Sequence, residues 1–259
     1  MATHGLEQSQ IKQFHSAGYI VLPGVLTAPE CAQLRQVIQN DLEPLVGPAE
    51  FEADMGYPGA PANRDVSGGD TPRRLLHAYA RNDSLKSLAQ HPVLGAWLKV
   101  LLDCANPMLS QCHHNCVMTK HPGFSSATLW HQDIRYWSFD RPELISAWFA
   151  LGTEDASRGA LQVIPASHQE NIDRGRLDSA LFLRPELAVN RPLIECAQVV
   201  NLNAGDLLFF HCRLFHAAGQ NQSSQVKLSP VFTYHAEDNL PIPGTRSERL
   251  PSIALQSAE

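Results

Sequence analysis

The sequence lacks several features that would assign its class directly. It contains no uninterrupted apolar run of about 18 residues, which a membrane-spanning helix would need. Its first residues show no charged segment followed by an apolar core, so no secretion signal is expected. It has no block of lysine and arginine, and its formal net charge is -6, which argues against nucleic acid as a partner. These absences predict a soluble cytoplasmic protein whose partners are neither membranes nor nucleic acids.

The cysteines are few and scattered, without the regular spacing of a disulfide framework. Only the segment from Cys112 to Cys116, which reads Cys-His-His-Asn-Cys, resembles a zinc-binding sequence. A structural zinc site usually draws its four ligands from two paired clusters, and a second cluster at finger spacing is missing. We therefore expect reduced thiols and no structural zinc site.

Hydrophobic periodicity divides the chain into a helical first portion, about residues 1–105, and a strand-rich portion, about 106–236, followed by a C-terminal tail. Short strands separated by turn residues favour an antiparallel sandwich or barrel. We expect a single domain, residues 1–259, that is mainly β with flanking α-helices and has a double-stranded β-helix fold, the cupin-like jelly roll. The predicted helices are 6–17, a segment after Thr27, 75–88 and 92–102, and the predicted strands are 19–22, 108–120, 130–136, 144–151, 161–164, 199–202, 207–211 and 226–234.

Residues 46–71 form a connection rich in glycine and proline. A connection of this length inside a compact domain is either disordered or functional. We expect a mobile loop, such as a lid, at the mouth of a site.

The most informative short motif is His131-Gln-Asp133. In an extended segment alternate side chains share a face, so an imidazole and a carboxylate would point the same way and could hold one cation. A third ligand would come from the run 205–216, which contains His211 and His216. Two histidines and one carboxylate on one side of a metal form the facial triad of non-haem Fe(II) oxygenases. The sequence therefore predicts an iron site.

The strand 226–234 carries polar residues on one face and apolar residues on the other. Lys227, Ser229 and Val231 share the face that we expect to point into the barrel. A buried lysine is costly unless an anion meets it, so Lys227 needs a carboxylate partner.

Four segments, 14–24, 131–137, 159–168 and 205–221, occur in an informative order with Trp148 between the second and third. Together they resemble the phytanoyl-CoA dioxygenase family, over almost the whole chain. The resemblance implies an enzyme that uses Fe(II), 2-oxoglutarate and O2, hydroxylates a small-molecule substrate, and releases succinate and CO2.

Residue by residue, the resemblance makes His131, Asp133 and His216 the iron ligands and matches His211 to a non-ligand histidine. It places a basic residue, in most members arginine, where this sequence has Lys227, to hold the distal carboxylate of 2-oxoglutarate. The lysine ammonium cannot bind a carboxylate through two parallel hydrogen bonds as an arginine guanidinium does. We therefore expect a neighbouring hydroxyl to donate a further hydrogen bond to that carboxylate. The other candidate co-substrate residues are Thr128, Ser229, Arg74, Trp148 and Cys116.

The substrate is indicated first by Arg135, which would share the face of His131 and Asp133 in an extended segment. Arg213 is a further cation, close in sequence to the third ligand. If Arg135 points into the pocket, the substrate is a small anion such as a carboxylate, phosphonate or acyl thioester. Alternatively, Arg135 pairs with Glu143 or Asp140. A second interpretation of the whole chain is a jelly roll that binds a metal or ligand without catalysis, since fold alone does not decide function.

Overall fold

The computed structural model describes residues 5–255, in which two antiparallel sheets carry helices on the outside. The helices are α1 (Gln8–Ala17), α2 (Ala28–Leu42), α3 (Ala78–Arg81), α4 (Asp83–Ala89), α5 (Pro92–Leu101) and α6 (Arg191–Glu195). The strands are β1 (Tyr19–Leu22), β2 (Ala49–Phe51), β3 (Pro72–Leu76), β4 (Pro107–Lys120), β5 (Thr128–His131), β6 (Leu144–Phe149), β7 (Leu161–Val163), β8 (Gln198–Val199), β9 (Leu207–His211), β10 (His216–Ala218), β11 (Lys227–Ala236) and β12 (Ile253–Ala254).

The larger sheet has the order β1-β9-β6-β11-β4-β3-β2, with β12 also paired to β4. The smaller sheet has the order β5-β10-β7-β8. Neighbouring strands come from distant parts of the chain, as expected for a jelly roll. The mainly β, cupin-like architecture that the sequence predicted is confirmed. Within residues 5–255, every helix is too short or too polar to cross a membrane.

Local signals set the N-terminal elements as predicted. Gly18 ends α1 with a left-handed conformation (φ 83°), which glycine adopts without a side-chain clash. A reciprocal capping box between Thr27 and Glu30 opens α2, because each side chain accepts a hydrogen bond from the other residue's backbone N–H. The backbone N–H groups of Thr27 and Glu30 at this helix end are thereby satisfied.

The hydrophobic core lies on both faces of the larger sheet. Phe209 packs edge-on against Trp97 of α5, while the next residue, Phe210, points between the two sheets. On β11, Phe232 faces the helices and Val231 faces the inter-sheet space. The two predicted faces of this strand are therefore confirmed. Each such side chain contributes roughly 1.5–3 kcal/mol by burial.

Two element predictions were wrong. Residues 72–76 form the strand β3, and the helical pattern starts only at Ala78, after His77 in a left-handed conformation (φ 57°). The predicted strand 130–136 stops at His131, and Asp133–Tyr136 form a 3-10 turn. The backbone N–H of Ile134 donates to the Cys212 carbonyl (2.9 Å), which pulls the chain out of the sheet. The hydrophobic periodicity of the sequence carries no information about a hydrogen bond between residues so far apart in the chain.

Candidate active site

His131 and His216 face each other across the pair β5–β10, in direct register. Their ring centroids are 4.2 Å apart, and both side chains are buried. In each ring Nδ1 donates to the carbonyl two residues upstream, Leu129 for His131 (2.8 Å) and Leu214 for His216 (3.1 Å). These bonds fix the tautomer and leave both Nε2 atoms as electron-pair donors.

Asp133 supplies a carboxylate between the two rings. Its Oδ1 lies 3.5 Å from His131 Nε2 and 3.6 Å from His216 Nε2, and the ligand atoms of all three residues lie within 4.8 Å of one another. The 3-10 turn, and not the strand alternation assumed from the sequence, aims this side chain at the histidines. Arg135 therefore does not share a strand face with His131.

The carboxylate of Asp133 is fully buried, and no donor in residues 5–255 is aligned to hydrogen-bond either oxygen. Burial raises its pKa, but the neighbouring His114 and His216 outweigh burial and hold that pKa well below the ordinary value. Burial lowers the pKa of His216 to about 4. A buried, unsatisfied carboxylate beside two lone-pair nitrogens fits a bound divalent cation.

His114 is a neighbour of this cluster that the sequence analysis did not assign. Its Nδ1 lies 3.2 Å from Asp133 Oδ2. The adjacent His113 points instead toward the C-terminal segment and bonds Ser247 Oγ (2.8 Å), and burial lowers its pKa to about 3. Two consecutive histidines in a strand point to opposite faces, so the sequence could have predicted that one of the two faces the site.

The remaining histidines lie outside the cluster. His211 accepts the Arg213 backbone N–H on Nδ1 (3.1 Å), and burial lowers its pKa to about 3. His168 bonds the His15 carbonyl through Nε2 (3.1 Å), as expected for a residue that fixes backbone. The structure thus brings His216, and not His211, to His131 and Asp133.

A narrow space next to these three residues, here called the inner cavity, lies between the two sheets. Two of its cations, Arg73 and Lys120, were not singled out from the sequence, because neither belongs to a recognisable motif. Its lining includes His131, His216, Thr128, Trp148, Tyr57, His114, Arg73, Arg74, Lys120 and Lys227.

Lys227 lines the inner cavity, and its charge is met by a carboxylate of the chain itself. Its Nζ donates to Glu154 Oε2 (3.0 Å) and to the Gly159 carbonyl (3.1 Å). Glu154 is buried and also accepts from Ser229 Oγ (2.6 Å) and Trp148 Nε1 (3.2 Å). The predicted need of Lys227 for a carboxylate is confirmed. Three residues predicted to bind the co-substrate, Lys227, Ser229 and Trp148, therefore all donate to Glu154.

The other predicted co-substrate residues lie nearby. Thr128 Oγ1 accepts from Arg73 Nη2 (3.0 Å). Arg74 pairs with Glu50 (3.0 Å). Cys116 is buried in the same hydrophobic cluster as Trp148, and burial raises the pKa of its thiol to about 11.

Residues 14–229 match a family model described as phytanoyl-CoA dioxygenase (PhyH). The chain belongs to the phytanoyl-CoA dioxygenase family. The resemblance read from the sequence is thus confirmed. This PhyH-family chain is an Fe(II)- and 2-oxoglutarate-dependent oxygenase, with O2 as the other co-substrate.

Relatives of the PhyH-family chain differ in the substrates that their names give. It is 24% identical to an ectoine dioxygenase of Sphingopyxis alaskensis, covering 89% of this chain and 76% of the relative. It is 23% identical to a methylphosphonate hydroxylase of Gimesia maris, covering 89% and 81%. A probable phytanoyl-CoA dioxygenase of Caenorhabditis elegans is 23% identical, covering 98% and 84%.

Solved structures show the same fold. The S. alaskensis protein EctD with bound Fe superposes with a TM-score of 0.78 at 19% identity, covering 100% of this chain and 89% of that one. The epimerase SnoN, in complex with Fe3+, alpha ketoglutarate and nogalamycin RO, gives a TM-score of 0.72 at 21% identity, covering 97% and 96%.

A wider depression of about 570 Å³, here called the outer cleft, adjoins the inner cavity and shares Tyr57, Arg74, His114 and Tyr136 with it. Residues 46–71, predicted as a lid, contribute Tyr57 to both spaces. The charged and aromatic residues that line the outer cleft include Arg74, Arg135, Arg246, Glu50, Asp178, Phe182 and Trp137.

Arg135 lies in this lining. Its guanidinium carbon is 4.0 Å from the centroid of the Phe182 ring and 4.8 Å from that of Tyr136. Glu143 pairs with Arg141 (3.1 Å), and no carboxylate in residues 5–255 pairs with Arg135. Its Nη1 is buried without a hydrogen-bond partner in the same range. The alternative in which Arg135 pairs with an internal acid is therefore not what the structure contains.

Proposed function

We propose that this chain hydroxylates a small anionic organic molecule bound in the outer cleft, with release of succinate and CO2. In this proposal His131, Asp133 and His216 are the iron ligands. The observation that carries the substrate class is Arg135, which has no carboxylate partner among residues 5–255 and lines a cleft that adjoins the inner cavity, where His131 and His216 lie.

The residues of the site divide the work. Bound iron with 2-oxoglutarate and O2 supplies the oxidant that removes hydrogen from the substrate. His131 and His216 present Nε2 because the carbonyls of Leu129 and Leu214 hold their Nδ1 protons. Asp133 supplies the negative charge that keeps a divalent cation in a buried site.

The charges of the outer cleft support an anionic substrate. Three arginines line it against two acids, Glu50 and Asp178. Glu50 is paired with Arg74, and Asp178 accepts the backbone N–H groups of Ala180 and Phe182 (both 2.9 Å). Within residues 5–255, Arg135 and Arg246 have no carboxylate partner, so both can attract an anion, and the adjacent Phe182 and Tyr136 rings hold the Arg135 guanidinium in place.

The test is a screen for molecules that accelerate succinate formation by the iron-loaded protein. Candidates are supplied in matched pairs, each carboxylate or phosphonate with its neutral amide or ester. We expect the charged member of a pair to give the larger acceleration. Neutral members that consistently outperform their charged partners would refute an anionic substrate while leaving the oxygenase chemistry intact.

Substitution of Arg135 gives a second test. We expect Arg135→Gln to raise KM for an anionic substrate by roughly tenfold with a smaller change in kcat, because a half-buried charge contact is lost. KM for the neutral partner should stay constant. Arg184→Gln is the matched control, because Arg184 is an exposed arginine paired with Glu186 and does not line the cleft. Equal KM changes for charged and neutral compounds would argue against a charge contact.

A further inference from the structure

The four cations of the inner cavity differ in how their charges are balanced. Arg73 lies 3.4 Å from Glu52, Arg74 lies 3.0 Å from Glu50, and Lys227 lies 3.0 Å from Glu154. Lys120 is the exception, since no carboxylate within residues 5–255 pairs with it. Its Nζ donates only to two backbone carbonyls, those of Ser126 (2.8 Å) and Gly219 (2.6 Å).

The surrounding structure holds Lys120 in a defined position in the inner cavity. It is buried, with 6% of its surface exposed, and it lies directly opposite Lys227 in the β4–β11 register. Its side chain passes Gly159, where a Cβ atom would come within 3.0 Å of Lys120 Cδ and 2.5 Å of the Gly219 carbonyl oxygen. Gly159 also has a positive φ of 65°. A larger residue at 159 would obstruct the lysine.

We propose that Lys120, and not Lys227, binds the distal carboxylate of 2-oxoglutarate. An ammonium has three N–H donors, and backbone carbonyls use two of those on Lys120. The carboxylate of Glu154 already neutralises Lys227 and occupies Ser229, so a second carboxylate there would meet a negative charge. At Lys120 the incoming carboxylate would instead neutralise a buried cation.

Thr128 completes the site. Because its Oγ1 accepts a hydrogen bond from Arg73 Nη2 (3.0 Å), its hydroxyl proton is available to donate to a ligand. Thr128 lies three residues before His131 on β5, and Gly219, which Lys120 contacts, lies three residues beyond His216. Three residues of strand correspond to roughly 10 Å, a span suited to a five-carbon dicarboxylate that is chelated at its other end.

The electrostatics of Lys120 agree with this assignment. Burial, and then the nearby Lys227 and Arg73 cations, lower its pKa to about 7, against the opposing influence of Glu52 and Glu154. A bound carboxylate would raise that pKa again, because it favours the charged ammonium. Binding then takes up a proton between the two pKa values, so affinity falls as pH rises above 7.

The inference rests on 2-oxoglutarate as co-substrate and is independent of the substrate class. Its test is an anaerobic titration of the Fe(II)-loaded protein, monitored by the visible charge-transfer band of the chelate. Two ligands are compared: 2-oxoglutarate and 2-oxopentanoate, which has a methyl group in place of the distal carboxylate. For Lys120→Met we expect Kd for 2-oxoglutarate to rise at least about 30-fold, with little change for 2-oxopentanoate.

The competing assignment is tested by Lys227→Met combined with Glu154→Gln, which removes the ion pair without leaving one charge buried. We expect this variant to keep the preference for 2-oxoglutarate. Loss of the preference there, with retention in Lys120→Met, would overturn the proposal. A wild-type iron protein with no band would overturn it together with the iron-ligand assignment, so the two failures are distinguishable.

The unmodified protein provides a measurement that does not depend on folding of a variant. Between pH 7 and 9 we expect the affinity for 2-oxoglutarate to fall by up to about tenfold per pH unit while that for 2-oxopentanoate stays level. Parallel pH profiles for the two ligands would contradict the role of Lys120, because only the distal carboxylate distinguishes them.

Discussion

His216→Ala is expected to reduce iron-dependent succinate formation to background, a loss of more than about 100-fold. Loss of a residue that only supports a metal ligand costs about 10–100-fold in metal affinity or activity. His216 lies in the ligand cluster itself, so its loss should cost more. Two remaining ligands would hold Fe(II) weakly in a site built for three. Iron content after gel filtration and succinate release under air measure the two losses separately.

The matched control is His211→Ala, because His211 lies five residues earlier and is partly buried. His211 hydrogen-bonds the Arg213 backbone N–H and does not approach Asp133, so this variant should retain iron and turnover. The reverse pattern, with iron lost in His211→Ala and kept in His216→Ala, would refute the ligand assignment.

Lys227→Met should destabilise the protein by about 3–5 kcal/mol, because it leaves the buried carboxylate of Glu154 without its cation. Ser229 and Trp148 would still donate to that carboxylate, but neither carries charge. Chemical denaturation monitored by tryptophan fluorescence measures the change in the free energy of unfolding.

Adding Glu154→Gln to Lys227→Met should recover most of this loss, since the double variant has no unpaired charge. The quantity to be determined is the coupling free energy between the substitutions at Lys227 and Glu154. Additive losses in the two single variants would mean that the pair does not act as a unit, and the argument that Lys227 is committed to Glu154 would fail.

Much of the fold could be predicted from local patterns. The strand Tyr19–Leu22, the capping box at Thr27 and the alternation along β11 depend on neighbouring residues, and the structure contains all three. The turn at Asp133–Tyr136 could not be predicted in this way, because it depends on a hydrogen bond to Cys212, far away in sequence.

In the candidate site, too, some residues could be predicted from the sequence and others could not. His131, Asp133 and His216 could be singled out because their order follows a family pattern, although the reason first given for their convergence, strand alternation, was wrong at Asp133. Lys120 and Glu154 could not be singled out, because Lys120 is placed opposite Lys227 only by the β4–β11 register and Glu154 meets Lys227 only through a side-chain ion pair in the folded chain. Contacts between residues this far apart in the chain produce no recognisable spacing in the sequence.

The most direct test of the account is anaerobic addition of 2-oxoglutarate to the Fe(II)-loaded protein, followed by admission of oxygen and measurement of succinate. We expect a visible charge-transfer band that saturates at one 2-oxoglutarate per iron, and then slow succinate formation without any added substrate. Bound iron that gives neither a band nor succinate at millimolar 2-oxoglutarate would contradict an oxygenase site built from His131, Asp133 and His216.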